Sequence, residues 1–157
     1  MEVNSIREAT DILIDTWLDL RVGYTSGVFD LFHEGHANYL NKCLELCDIL
    51  IVGVDSDLKV KFNKGLGRPI DDIGKRISNV QLLSIFCFEK KEGSINYIRL
   101  LRPHYYFFSE GKVLDEEKNC LISKVERFIG FFEISYTVGI STSSLIRNLL
   151  PESGKST

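Results

Sequence analysis

A chain of 157 residues, 44% hydrophobic and 26% charged, has the composition of one globular domain and can bury roughly 70% of its unfolded surface without disulfides or a structural metal. Its formal net charge of −3 lacks the basic excess of a general nucleic-acid binder, so any phosphate recognition has to come from local features. The longest apolar run, Ile49 to Val54, is far below the ~20 residues of a membrane helix. The start, Met1 to Asp11, is polar and mixed in charge, unlike a secretory signal, and a cytoplasmic protein is expected.

Ser5 can cap a first helix whose residues Ile6, Ala9, Leu13 and Trp17 recur at helical spacing. A strand is predicted over Arg21 to Ser26, then a glycine-punctuated loop from Gly27 to Gly35 and a helix from His36 to Cys47. Cys43 and Cys47 fall on the apolar stripe of that helix. None of Cys43, Cys47, Cys87 and Cys120 forms a C-x-x-C pair, so reduced thiols packed as small hydrophobes are expected. The continuous apolar run from Ile49 to Val52 reads as a strand buried on both faces.

A short helix follows at Ser56 to Phe62, then the loop Asn63 to Pro69 and a helix capped by Asp72 that carries Ile73, Ile77, Val80 and Leu83. Ile85 to Phe88 reads as a third strand. Ile95, Ile98 and Leu101 mark a helix stopped by Pro103. Tyr105 to Phe108 and Phe131 to Tyr136 are aromatic-rich strands with a helix between them at Glu116 to Phe128. A last helix begins near Thr142, and Pro151 to Thr157 form a polar tail. The expectation is one domain over residues 1–150, led by a helix in residues 1–20. Its fold class is α/β, a Rossmann-like, doubly wound, parallel five-stranded sheet with helices on both faces. Ligands of such sheets sit beyond the carboxyl ends of the strands, where strand order reverses.

The loop after the first strand is therefore where chemistry is first sought. It reads Thr25-Ser26-Gly27-Val28-Phe29-Asp30-Leu31-Phe32-His33-Glu34-Gly35-His36. Gly27 lets the chain turn sharply and brings backbone N–H groups near a ligand. His33 and His36, three apart where a helix begins, can both face one point before its N-terminus, which already attracts anions. Gly35 leaves room for a phosphate. Two of the chain's three histidines lie here. Chance placement and an H-x-x-H zinc site are the competing readings, and the second lacks a nearby third ligand. His104, after a proline at a strand start, reads as structural.

The run GVFDLFHEGH resembles the signature of the cytidylyltransferase-like nucleotidyltransferases, which carry an H-x-G-H element. The resemblance extends over VGVDSDLKV (Val52 to Val60), KGLGRPIDDIGKR (Lys64 to Arg76) and GISTSSLIRNL (Gly139 to Leu149). It implies a nucleotidyltransferase using ATP or CTP, with Mg²⁺ carried by the triphosphate and no fixed protein metal site, and an acceptor that is a sugar phosphate or alditol phosphate for surface polysaccharide or glycan precursors. The implied catalytic residues are His33, His36, Lys64 and Arg76. Ser26, Gly27, Val28, Phe29, Gly35, Gly139, Ser141 and Thr142 would bind nucleotide, and Asp30, Asp55 and Arg68 would bind substrate. Asp30 could instead brace the loop, and Asp55 and Asp57 could cap the next helix.

Within the family, the K-G-x-x-R-P-I stretch is similar to heptose-1-phosphate adenylyltransferases, and G-I-S-T-S to glycerol-3-phosphate cytidylyltransferases. The chain departs from the first at Phe108 to Lys112 and from the second at Tyr136-Thr137, so base and acceptor stay open. A homodimer is implied because relatives often form one. The alternative is a non-catalytic nucleotide-binding module of the same fold.

Overall fold

A computed structural model describes residues 6–8, 20–83, 86–109 and 129–135. Besides the helical residues 6–8, these segments hold five strands and four helices: β1 (Val22–Gly27), α1 (Glu34–Glu45), β2 (Ile49–Asp55), α2 (Asp57–Lys64), α3 (Ile73–Gln81), β3 (Phe86–Lys90), α4 (Ser94–Leu101), β4 (Tyr105–Ser109) and β5 (Gly130–Ile134). All pairings are parallel, in the order β3-β2-β1-β4-β5. The expected fold class is the one observed. Strand order reverses between β1 and β4, so the loop after β1 leaves the sheet at the switch point.

The alternation of side chains along the strands builds two cores. On one face Val22, Tyr24, Ile51, Phe88, Tyr106 and Phe108 pack against Tyr97, Ile98 and Leu101 of α4. On the other, Leu50, Val52, Val54, Cys87 and Phe107 meet Tyr39, Leu40 and Cys43 of α1 and Ile77 and Val80 of α3. Helices on both faces explain why the strands read as unbroken apolar runs. Gly23 sits where β1 crosses this second core. A Cβ there would stand 2.5 Å from the Phe107 ring, which is closer than any packed carbon tolerates.

Several boundaries move for local reasons. The helix α1 begins two residues earlier than expected, because His33 itself caps it. Ser56 caps α2 through its hydroxyl, which accepts from Lys59 N at 3.2 Å, and this leaves β2 free to run on to Asp55. Asp72 caps α3 as expected, accepting from Lys75 N at 2.9 Å. His104 is structural: its Nδ1 accepts from Val22 N at 2.9 Å and ties the starts of β1 and β4. Cys43 and Cys87 are buried apolar packers, and burial pushes the Cys43 thiol up to about 12. Of the expected first helix, capped by Ser5 and carrying Ile6, Ala9, Leu13 and Trp17, residues 6–8 are helical; its remainder, the expected helix at Glu116 to Phe128, the one beginning near Thr142 and the tail lie outside the described residues. Among the described residues no helix is long and apolar enough to cross a membrane.

Candidate active site

The loop between β1 and α1 is held in a strained shape. Phe29 and Leu31 adopt left-handed backbone conformations, with φ of 53° and 48°, at a cost on the order of 1 kcal/mol or more each for residues that carry a Cβ. Packing and hydrogen bonds hold them there. The Phe29 ring lies in the core and meets the His36 ring edge-on, with centroids 5.6 Å apart. The side chain of Phe29, expected to bind nucleotide, is thus a floor beneath His36.

For Asp30, the bracing role that stood beside substrate binding is the one its geometry matches. Its carboxylate is buried and accepts hydrogen bonds from Leu31 N at 3.1 Å, Ile70 N at 2.7 Å and Asp71 N at 2.8 Å. The Arg68 Nε lies 3.6 Å away. A carboxylate so enclosed and so fully engaged is not presented to a substrate. It braces the histidine loop against the segment that leads into α3. Arg68, expected at the substrate, turns its Nε inward to this same group.

His33 and His36 form a reciprocal cap at the head of α1. Gly35 N donates to His33 Nδ1 at 3.0 Å, and His33 N donates to His36 Nδ1 at 3.2 Å. This is a capping box made of two imidazoles in place of a hydroxyl and a carboxylate. The rings stack with centroids 3.8 Å apart at 23°. Because each Nδ1 accepts, the proton of each neutral ring is assigned to Nε2. Burial, helped by the neighbouring His33, lowers the pKa of His36 to about 3, while Asp30 opposes the shift. Burial also lowers that of His33. Both rings are neutral near pH 7 and act as N–H donors. His33 Nε2 is a buried polar atom with no hydrogen-bond partner. An orphaned donor beside a helix N-terminus suits an anionic oxygen.

Arg76, expected on the phosphates, is placed otherwise. Its side chain is 0% exposed. Nη1 donates to Val28 O at 2.9 Å and Asp55 O at 2.7 Å, Nε donates to Asp71 O at 3.0 Å, and Nη2 pairs with Asp57 at 2.5 Å. The planar fork thereby locks the ends of β1 and β2 and the entry to α3 into one body. Reaching a phosphate would require breaking these bonds.

A cavity of about 270 Å³ adjoins the histidine loop, with Gly27 and Val28 forming one of its walls. Lys64 and Asp55, both expected at the site, also line it. So do Lys59, Lys90 and Ser94, which sequence reasoning did not single out. The Ser94 hydroxyl lies 3.3 Å from that of Ser26. Lys90 had a readable signal: it is the last residue of an apolar parallel strand, at the end where such sheets bind ligands. Gly139, Ser141 and Thr142 lie outside the described residues. Among the described residues no group of three or more His, Cys, Asp or Glu side chains is placed to hold a metal ion.

A family model described as cytidylyltransferase-like matches residues 24–148. The chain is 34% identical over 134 residues to the bifunctional protein HldE of Helicobacter pylori (strain G27), an alignment covering 82% of this chain and 27% of that protein. It is 40% identical over 90 residues to the bifunctional protein HldE of Bradyrhizobium sp. (strain ORS 278), covering 54% of this chain and 18% of the other. The chain thus spans about a quarter or less of the length of these curated relatives.

Among solved structures, a lipopolysaccharide core biosynthesis protein from Thermoplasma volcanium GSS1 superposes with a TM-score of 0.65 at 26% identity, covering 75% of this chain and 98% of that one. A pantoate-beta-alanine ligase from Francisella tularensis, at 9% identity and a TM-score of 0.66 over 94% of this chain and 76% of that one, shares the fold.

Proposed function

Because this chain belongs to the cytidylyltransferase-like family, we propose that it is a nucleotidyltransferase acting on a sugar phosphate or alditol phosphate. The donor is the magnesium complex of ATP or CTP, and pyrophosphate is released. An oxygen of the acceptor phosphate attacks the α-phosphorus. A new P–O bond forms there as the bond to the bridging oxygen of the β-phosphate breaks, and the electron pair leaves on pyrophosphate. No covalent enzyme intermediate is needed. The chain's part is to hold reactants in line and to place donors on oxygens that gain charge.

The observation that carries this reading is the stacked pair His33 and His36, neutral, with their Nε2 protons assigned, at the head of α1 and at the switch point of the sheet. In this reading the two Nε2–H groups meet the α-phosphoryl oxygens. Lys64 neutralises another phosphate, and Ser141 and Thr142 hold the β/γ end. Likeness to a lipopolysaccharide core biosynthesis protein supports an acceptor destined for surface polysaccharide or glycan.

The test is to incubate the protein with magnesium, each nucleoside triphosphate and a panel of phosphorylated sugars and polyols, following pyrophosphate. One triphosphate with one acceptor class should release pyrophosphate and yield a nucleoside-diphosphate conjugate. Nucleotide binding without turnover across the panel would replace the transferase with a nucleotide-binding module.

A further inference from the structure

Two sides of α2 differ in kind. Val60, Asn63 and Lys64 line the cavity beside the histidine loop. Another side carries Leu58 and Phe62, which are 80% and 90% exposed, and Leu66, 91% exposed, follows just past the helix end. Residues four apart on a helix are neighbours on its surface, so Leu58 and Phe62 form a stripe that Leu66 extends. Leu66 stands between Gly65 and Gly67, at each of which an added Cβ would meet nothing within 4 Å. Single exposed apolar residues are ordinary, whereas a contiguous set of large ones marks a contact surface.

These three side chains line an open groove of about 830 Å³ between α2 and the end of β3, where Glu89 and Lys91 form the far wall. The groove's charged groups carry both signs. Asp57 is paired with buried Arg76, Lys59 with Asp55 and the Glu92 carbonyl, and Lys91 with Glu89 at 3.7 Å. Lys61 is exposed on the same groove. A rim of one sign would suit an anionic membrane or a nucleic acid. Mixed signs around an apolar stripe are what a surface complementary to itself requires.

The order of residues along the helix has the same property. Asp57 lies in the first turn of α2 and Lys61 in the last, so two copies laid antiparallel bring acidic starts beside basic ends and oppose their helix dipoles favourably. A twofold axis through Phe62 then sets that ring against its own mate and Leu58 against Leu66, since each lies four residues from it.

We propose that this groove is a self-association surface whose occupant is a second copy of this chain, with Phe62 of each copy seated in the groove of the other and Lys61 of each facing the other's Glu89. The aromatic pair supplies the apolar centre, and the charged rim fixes the orientation. The contact clamps α2 from outside and so steadies the helix that carries Lys64 at the histidine-loop cavity.

The test is sedimentation of the full chain over about 1 to 100 µM, a range that reaches the weak end of specific interfaces. The expected result is a concentration-dependent dimer. Phe62→Glu should weaken it about a hundredfold or more and leave the urea midpoint of the dilute monomer unchanged, since the ring is almost fully exposed within one copy. Lys61→Glu should weaken it about tenfold, and adding Glu89→Lys should restore it without moving that midpoint. A chain that stays monomeric throughout overturns the proposal. So does a dimer that withstands Phe62→Glu, or one that Leu82→Glu, at the exposed end of α3, disrupts in its place. Monomers that bind phosphatidylglycerol vesicles through Phe62 would assign the groove to a lipid surface and equally overturn it. Oligomeric state and pyrophosphate release are separate readouts, so the dimer and the transferase reading can each fail alone.

Discussion

In the proposed reaction one ring, His36, combines two jobs. Its Nδ1 closes the cap on His33 N, which sets the ring's orientation and leaves the proton on Nε2. Stacking against His33 and contact with Phe29 and Phe32 hold the plane. The two jobs can be separated by substitution. His36→Ala should lower turnover by about 10² to 10³ and stability by about 1 kcal/mol through the lost cap. His36→Asn keeps an acceptor near the Nδ1 position and should recover much of the stability without the rate. Steady-state pyrophosphate release and urea unfolding read the two effects independently, and an Ala variant with near-normal turnover would remove His36 from the chemistry.

At the scale of elements, the site depends on how β1, β2 and α3 are held together. Three backbone carbonyls converge on Arg76, and each would be left without that donor if it were removed. Breaking a buried charged network commonly costs about 3 kcal/mol or more, although Asp57, partly exposed, recovers some hydration. Arg76→Met is therefore expected to lower the urea midpoint of the nucleotide-free protein markedly. Arg76→Lys should rescue little, because a single ammonium cannot span carbonyls arranged around a planar fork. An unchanged midpoint would return Arg76 to a ligand-binding role. Asp30 plays the matching part on the other side of the loop by fixing residues 70 and 71.

For the molecule as a whole, buried His36 makes stability depend on pH. An unfolded imidazole titrates near 6.5, whereas His36 in the folded protein takes a proton only near 3. Between those values the unfolded chain binds more protons, so stability falls as pH falls and is fully present above about 6.5. On this account His36 alone removes about 2 kcal/mol between pH 8 and pH 5. The lowered pKa values of His33 and His104 act in the same direction. Chemical denaturation at the two pH values measures the loss, and a His36→Asn variant should flatten it. A wild-type midpoint that stays constant would contradict the neutral, enclosed state of the pair.

Much of this architecture was legible in the amino-acid order. Apolar runs such as Ile49 to Val52, set between amphipathic stretches, specify a parallel sheet covered on both faces, because only strands shielded twice are apolar without alternation. The H-x-x-H spacing at a strand-to-helix turn likewise specified where two imidazoles would meet, since three residues of helical backbone bring them to one side. Local spacing carries that information. It could not say which charged groups are enclosed. Arg76 looks like a ligand contact along the chain, yet partners 5 to 48 residues away enclose it, and Asp30, readable there as a ligand contact or a brace, is held by backbone N–H groups up to 41 residues away. Lys90, unremarked in sequence, becomes part of the cavity wall because Gly53 on the next strand leaves space for it. Burial and partnership are properties of distant segments brought together, and only the assembled sheet decides them.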